Sequence, residues 1–234
     1  SGGKRIAGTK VEIDCSVSSQ YLSGLLLMAP CTKNGLEIRV TRGPVSRPYV
    51  DMTLDIMTRF GIQYERQDFS KFRVPGRQAY AGGTYTVEPD CSQAGYFWAA
   101  AAVTGGQAKV LGITQDTRQG DIGLLDVLEK MGCSVFQEAD GIAVTGGKLT
   151  AVEADMGDMP DMVPTLAVVA AFAKGTSTIT NAAHLRAKES DRLTAVASEL
   201  TKMGVDARVT HDGLVITGPP IRGAQIATYD DHRI

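Results

Sequence analysis

Three stretches of this chain repeat one pattern: strand, acidic residue, apolar helix, glycine, strand. The first runs from Val11-Glu12-Ile13-Asp14 through residues 18–29 to Gly35 and residues 36–40. The second runs from Thr86-Val87-Glu88-Pro89-Asp90 through residues 92–103 to Gly105-Gly106 and residues 108–113. The third runs from Ala151-Val152-Glu153-Ala154-Asp155 through residues 161–173 to Gly175 and residues 177–180. Each then enters an amphipathic helix, over residues 47–60, 121–131 and 189–203, that halts at Gly61, Gly132 or Gly204. Glycine is the residue that enters the left-handed C-cap conformation at little cost. These glycines lie about 71 residues apart, well beyond the roughly 20–50 residues of solenoid repeats.

A hairpin follows each amphipathic helix, so each unit reads β-α-β-α-β-β and the fold class is α/β. The first helices of the second and third units are apolar nearly all round, as in residues 99–103 and 166–173. Such helices are buried on most sides. In the last helix Leu193, Val196, Ala197, Leu200 and Met203 make a single apolar stripe, so its other face meets water. Inner helices with sheets outside are the expected packing. Residues 226–231 resemble the opening of a fourth unit, with His232-Arg233-Ile234 starting its helix. A longer parent protein is therefore expected, and Arg233, next to last here, is expected to fray.

Composition excludes several partners. With 43% hydrophobic and 21% charged residues the chain has an ordinary globular balance. A net charge of −2 and no basic stripe with interleaved aromatics argue against nucleic acid. No apolar run approaches the roughly 20 residues that span a bilayer, so no membrane partner is expected. Cys15, Cys31, Cys91 and Cys133 include no C-x-x-C pair. They read as reduced thiols in a cytoplasmic protein. No phosphate-binding Walker loop and no G-x-G-x-x-G stretch is present. Neither a metal nor another cofactor is expected.

The motifs that carry chemistry fall at strand-to-helix junctions. Ser16-Val17-Ser18-Ser19-Gln20 opens the first inner helix. Hydroxyls and free N–H groups at a helix start make an anion site, and plain N-capping by serine is the alternative. Ser46-Arg47-Pro48-Tyr49 opens the next helix, with proline suited to its first turn and capping again the alternative. Asp155, Asp158 and Asp161 crowd another helix start. The helix dipole favours acids there, while Pro160-Asp161 can instead set one carboxylate in a cleft as a base. The segment from His184 to Arg192 is the densest cluster. Lys188 and Arg192 are spaced to share a helix face, and Glu189 and Arg192 to meet. A solvated salt-bridge helix is the alternative. Asp230-Asp231-His232-Arg233 repeats the theme.

In order and spacing these motifs, Arg186-Ala187-Lys188-Glu189-Ser190-Asp191-Arg192 above all, resemble those of the EPSP synthases, the 3-phosphoshikimate 1-carboxyvinyltransferases (EC 2.5.1.19). The resemblance covers essentially the whole chain. It implies two domains of β-α-β-α-β-β units in an inside-out α/β barrel arrangement. Residues 1–88 are then the last unit of the N-terminal-type domain, and residues 89–234 two units of the C-terminal-type domain. It implies transfer of the enolpyruvyl group from phosphoenolpyruvate to the 5-hydroxyl of shikimate 3-phosphate, with release of phosphate, in the cytoplasmic shikimate pathway of chorismate and aromatic amino acid biosynthesis. Those two small molecules are the implied partners, and the implied parent is a monomer. Ser18, Ser19, Gln20, Ser46, Tyr49, Asp161, His184 and Lys188 are the implied contacts to shikimate 3-phosphate. Gln20, Arg192, His232 and Arg233 are those to phosphoenolpyruvate. Asp161 is the implied base at the attacking hydroxyl, and Glu189 the implied proton carrier to the methylene carbon. Cys15 stands where many members have glycine, and His184 where some have asparagine. The isolated chain is expected to be inactive. The alternatives are the sister transferase acting on UDP-N-acetylglucosamine and a non-catalytic phosphometabolite-binding fragment.

Overall fold

The computed structural model describes residues 8–218 and 222–234, which fall into two units, one ending at Thr86 and the other beginning at Val87. In the first unit, polar and apolar residues alternate along β1 (Lys10–Asp14) and β2 (Leu36–Arg42). That alternation sends Ile38 and Val40 to one face and Glu37 and Arg39 to the other. Helices α1 (Gln20–Met28) and α2 (Arg47–Arg59) cover the apolar face. Strands β3 (Glu65–Gln67) and β4 (Lys71–Val74) complete a sheet of order β1-β2-β4-β3. Strand β1 runs parallel to β2, and the other pairs are antiparallel. Leu22, Leu26, Val50, Leu54, Met57 and Phe72 form the core. Full burial of side chains of this size stabilises by roughly 1.5–3 kcal/mol each. Helix α1 is only partly buried. Leu22 and Leu26 are buried on it, while Tyr21 and Leu27 are exposed.

The second unit holds two more copies of the motif. The later copy is complete. It contains β8 (Glu153–Asp155), α5 (Val163–Phe172), β9 (Gly175–Thr180), α6 (Arg192–Lys202), β10 (Asp206–Val209) and β11 (Leu214–Gly218). Its sheet order, β8-β9-β11-β10, reproduces the first unit's, with β8 parallel to β9. The earlier copy comprises α3 (Cys91–Thr104), β5 (Gln107–Leu111), α4 (Leu124–Lys130), β6 (Ser134–Glu138) and β7 (Gly141–Thr145), in the order β5-β7-β6.

The strand expected at residues 86–90 does not form. Proline has no N–H to give a ladder, and a side chain substitutes for the neighbouring strand. Gln119 Nε2 donates to the Pro89 carbonyl at 2.8 Å, and Gln119 Oε1 accepts the Cys91 N–H at 2.7 Å.

Helices α3 and α5 form the inner layer of the second unit and pack on each other, and at Gly95 of α3 a β-carbon would stand 2.8 Å from the Sδ of Met162, on the turn that leads into α5. Trp98 is fully buried and donates its indole N–H to the Ile142 carbonyl on β7 at 3.2 Å. The inner helices are not covered on every side. Tyr96, Val103 and Val168 line an apolar groove with Met203, which caps the end of α6. The amphipathic helices end as expected, with Gly61, Gly132 and Gly204 at φ 80°, 105° and 88°. No described helix is long and apolar enough to cross a membrane.

Candidate functional site

One device recurs where strands hand over to helices. The Asp14 carboxylate accepts the N–H of Ser16 at 2.9 Å, and Asp90 that of Ser92 at 2.7 Å. Asp155 accepts the N–H of Gly157 at 2.9 Å, and Asp231 that of Arg233 at 3.0 Å. Each aspartate thus turns the chain two residues on, and the fourth instance sits where the sequence suggests a fourth unit. Ser16 then holds the Asp14 carboxyl down at about 2, with Arg42 adding to the effect.

In the first unit, β1 and β2 are parallel neighbours, so their following junctions lie at one end of the sheet. The Val45 N–H donates to the Cys15 carbonyl at 3.1 Å and ties the two junctions together. Capping does not account for Ser19 and Ser46. Ser19 and Ser46 precede α1 and α2, are buried at 4% and 6% exposure, and make no side-chain capping bond. Ser46 also has a left-handed backbone, φ 52°, which a non-glycine residue adopts only when its surroundings impose it. Ser18 Oγ accepts the Gln20 N–H at 3.2 Å. Thr53 Oγ1 donates to the Tyr49 carbonyl and lies 2.9 Å from Ser23 Oγ, linking α2 to α1. Ser18, Ser19, Gln20, Ser46 and Tyr49 therefore belong to one end of one sheet.

In the second unit, Asp161, Glu189, Arg192, His232 and Arg233 come together, and Arg192 is the hub. Its side chain is 2% exposed and meets three carboxylates. Nη1 donates to Asp161 at 3.0 Å and Nη2 to Glu189 at 2.7 Å. Nε and Nη2 reach the two oxygens of Asp231 at 2.9 and 3.1 Å. Burial alone lowers the pKa of Arg192, but Asp231, Asp161 and Glu189 outweigh it and raise the value. Burial likewise pushes Asp231 up, yet hydrogen bonds from Arg192, the Arg233 N–H and Ser190 hold it at about 2. The solvated-helix alternative fails, because Arg192 is buried. Helix α6 begins only at Arg192, so Lys188 does not share a helix face with it, and Arg186, on a 3-10 turn, pairs with Asp191 near the surface.

Arg233 corrects an expectation. Its side chain does not fray: it is 8% exposed, and Nη2 donates to Ser92 Oγ at 2.8 Å and to Asp161 at 3.4 Å. Its Nε and Nη1 are buried without a hydrogen-bond acceptor. Burial lowers its pKa, but Tyr96, Asp161 and Asp90 together raise it. Buried guanidinium donors of this kind suit an anionic ligand. His232 Nδ1 stands 3.9 Å from Glu189 and 3.8 Å from Asp231.

His184 lies on the 3-10 turn Ala183–Ala187 that leads toward α6. Its Nε2 is buried without a partner. Burial and then the Lys188 charge push its pKa down, and Asp161 pulls it up. Lys188 forms no ion pair with any described carboxylate. Parallel pairing of β8 and β9 sets the junction carrying Asp161 beside the one carrying His184 and Lys188. Asn181 bridges the two by donating to Asp155 at 3.0 Å.

Sequence reasoning missed Asp231 as the central partner of Arg192, and Asp90 and Ser92 as supports of Arg233. The spacing of aspartate two residues before the turn, shared by Asp14, Asp90, Asp155 and Asp231, was the available signal. Among the described residues no three His, Cys, Asp or Glu are grouped to hold a metal. The arrangement offers cations, hydroxyls and carboxylates, which suit an anionic substrate and proton transfer.

Residues 2–234 match the family model for EPSP synthase (3-phosphoshikimate 1-carboxyvinyltransferase). A 3-phosphoshikimate 1-carboxyvinyltransferase of an Escherichia coli O6:H1 strain is 48% identical over 97% of this chain and 54% of its own length. The enzyme of that name from Syntrophobacter fumaroxidans is 47% identical over 98% of this chain and 55% of its own. The chain thus spans about half the length of these curated relatives. An EPSP synthase structure from Acinetobacter baumannii superposes on 99% of the chain and 55% of its own, with a TM-score of 0.78 at 27% identity.

Proposed function

The chain belongs to the EPSP synthase family, and we propose that, within a longer protein, it supplies much of a site that joins phosphoenolpyruvate to shikimate 3-phosphate. The observation that carries this reading is the buried pair Arg192 and Arg233 facing Asp161 and Glu189. The first unit is the last of an N-terminal domain, and the second supplies two units of a C-terminal one. Ser18, Ser19, Gln20, Ser46 and Tyr49 hold shikimate 3-phosphate from the first. Asp161, His184 and Lys188 hold it from the second.

Phosphoenolpyruvate takes Arg192, Arg233, His232 and Gln20. As it binds, its negative groups compete with Glu189 for Arg192 Nη2, which releases Glu189 for chemistry. Asp161 removes the proton from the 5-hydroxyl, the oxygen attacks C2 of phosphoenolpyruvate, and Glu189 delivers a proton to C3. In the resulting tetrahedral adduct the cations stabilise the phosphate and the carboxylate. Glu189 then takes a proton back from C3, and the C2–O bond to phosphate breaks as Asp161 returns the hydroxyl proton to the leaving phosphate oxygen. The enolpyruvyl ether and inorganic phosphate leave with both carboxyl groups back in their starting states. Atoms and protons balance across these steps.

The test is a chimera in which this chain replaces the matching segment of the Escherichia coli relative. Phosphate release from phosphoenolpyruvate that requires shikimate 3-phosphate supports the reading. Release that requires UDP-N-acetylglucosamine instead, or binding of either substrate without release, overturns it.

A further inference from the structure

Glu199 lies seven residues beyond Arg192 on α6, two turns along the same flank. It is 5% exposed and has no part in the chemistry above. Its carboxylate collects three donors. Lys202 Nζ reaches both oxygens at 2.8 Å. The Ala227 N–H reaches Oε2 at 3.1 Å, and the Tyr229 hydroxyl reaches Oε1 at 2.7 Å. Lys202, then Tyr229, hold the Glu199 carboxyl below its usual range. Two residues farther along the chain from Tyr229, Asp231 is held by Arg192 and Ser190.

The segment between these two anchors is strained. Tyr229 and Asp230 have φ of 53° and 52°, a left-handed backbone that persists in such residues only when the surroundings over-determine it. Glu199 and Arg192 provide that constraint from a single helix.

We propose that Glu199 is a positioning residue: with Arg192 it clamps residues 227–231 onto α6 and thereby sets Arg233 against Ser92 and Asp161. The inference rests on the reading of Arg233 as an anion-binding group. The rival account is that Glu199 is only an ion-pair partner of Lys202, whose side chain is 45% exposed on the helix surface.

The experiment compares the chain with its Glu199→Ala, Glu199→Gln, Tyr229→Phe and Lys202→Ala variants. Amide exchange and titration with inorganic phosphate, followed at the Ser92 and Arg233 amides, are the two readouts. Glu199→Ala should speed exchange at Ala227 and Arg233 by about 10–100-fold, the scale of losing hydrogen bonds to a charged group, while Ile179 and Ile216 in the sheet stay protected. It should weaken phosphate binding by about tenfold. Glu199→Gln, which keeps one acceptor oxygen, should rescue part of both effects, and Lys202→Ala should behave as wild type. Unchanged exchange in Glu199→Ala, or the same loss in Lys202→Ala, overturns the proposal. If Glu199→Ala loosens the sheet as well, Tyr229→Phe decides, since it spares the Lys202 pair and should still speed exchange at Arg233. If the wild-type chain binds no phosphate at Arg233, the ligand reading fails and the exchange rates alone decide the clamp.

Discussion

Arg192 and Asp231 meet through two hydrogen bonds, Nε to Oδ2 at 2.9 Å and Nη2 to Oδ1 at 3.1 Å, with both side chains withdrawn from solvent. Asp231→Asn leaves Arg192 with one fewer charged partner in a dry site. A loss of about 1.5–3 kcal/mol is expected, the scale of hydrogen bonds to charged groups, measured by chemical denaturation near neutral pH.

The same carboxylate gives a pH signature. Its folded pKa, about 2, lies below the unfolded value of about 3.9. The stabilisation is therefore full above about pH 4 and is lost as pH falls through about 2. The stability difference between wild type and Asp231→Asn should shrink over that window. A difference that stays constant across it would show that the charge of Asp231 does not stabilise the fold.

His184 behaves as a buried base. Burial and Lys188 depress its folded pKa below the ordinary 6.5, so protonation opposes folding. Its contribution is present above about pH 6.5 and declines as pH falls through the folded value. Imidazole shifts in NMR should titrate below 6.5, the ordinary value. A midpoint at or above that value in the ligand-free chain would contradict the burial argument.

Gly132 and Gly105 separate backbone conformation from space. Both end helices at positive φ, 105° and 68°. A β-carbon on Gly105 meets nothing within 4 Å, whereas one on Gly132 stands 2.7 Å from the Lys148 carbonyl oxygen. Gly105→Ala should cost about 1–2 kcal/mol for the left-handed backbone alone. Gly132→Ala should cost more, because backbone must move. Equal costs in thermal or denaturant unfolding would refute the distinction.

How far the sequence could be read depended on how local each signal was. The helix-ending glycines and the apolar stripe of α6 are written within a few residues, and both appear as expected. The strand at residues 86–90 failed because Gln119, 30 positions from Pro89, satisfies the backbone that a strand would have paired. Arg233 looked loose because its anchor, Ser92, is 141 positions distant. At Ser19 and Ser46 the sequence left capping and ligand binding open, since both place a hydroxyl at a helix start. The structure shows no side-chain capping bond at either. Arg192 was legible as a charged helix residue, but the convergence of three carboxylates on it needs the β8–β9 pairing and the turn at Asp231.

Glu189, paired to Arg192 at rest, is central to the proposed chemistry because it carries the proton to and from the methylene carbon. The decisive measurement is the steady-state rate of phosphate release by the chimera and by its Glu189→Gln form, with shikimate 3-phosphate varied. The account predicts a turnover lower by about 10²–10⁴-fold, with the affinity for shikimate 3-phosphate within a few-fold of the parent. Equal turnover in the two proteins would remove Glu189 from the mechanism and contradict the account.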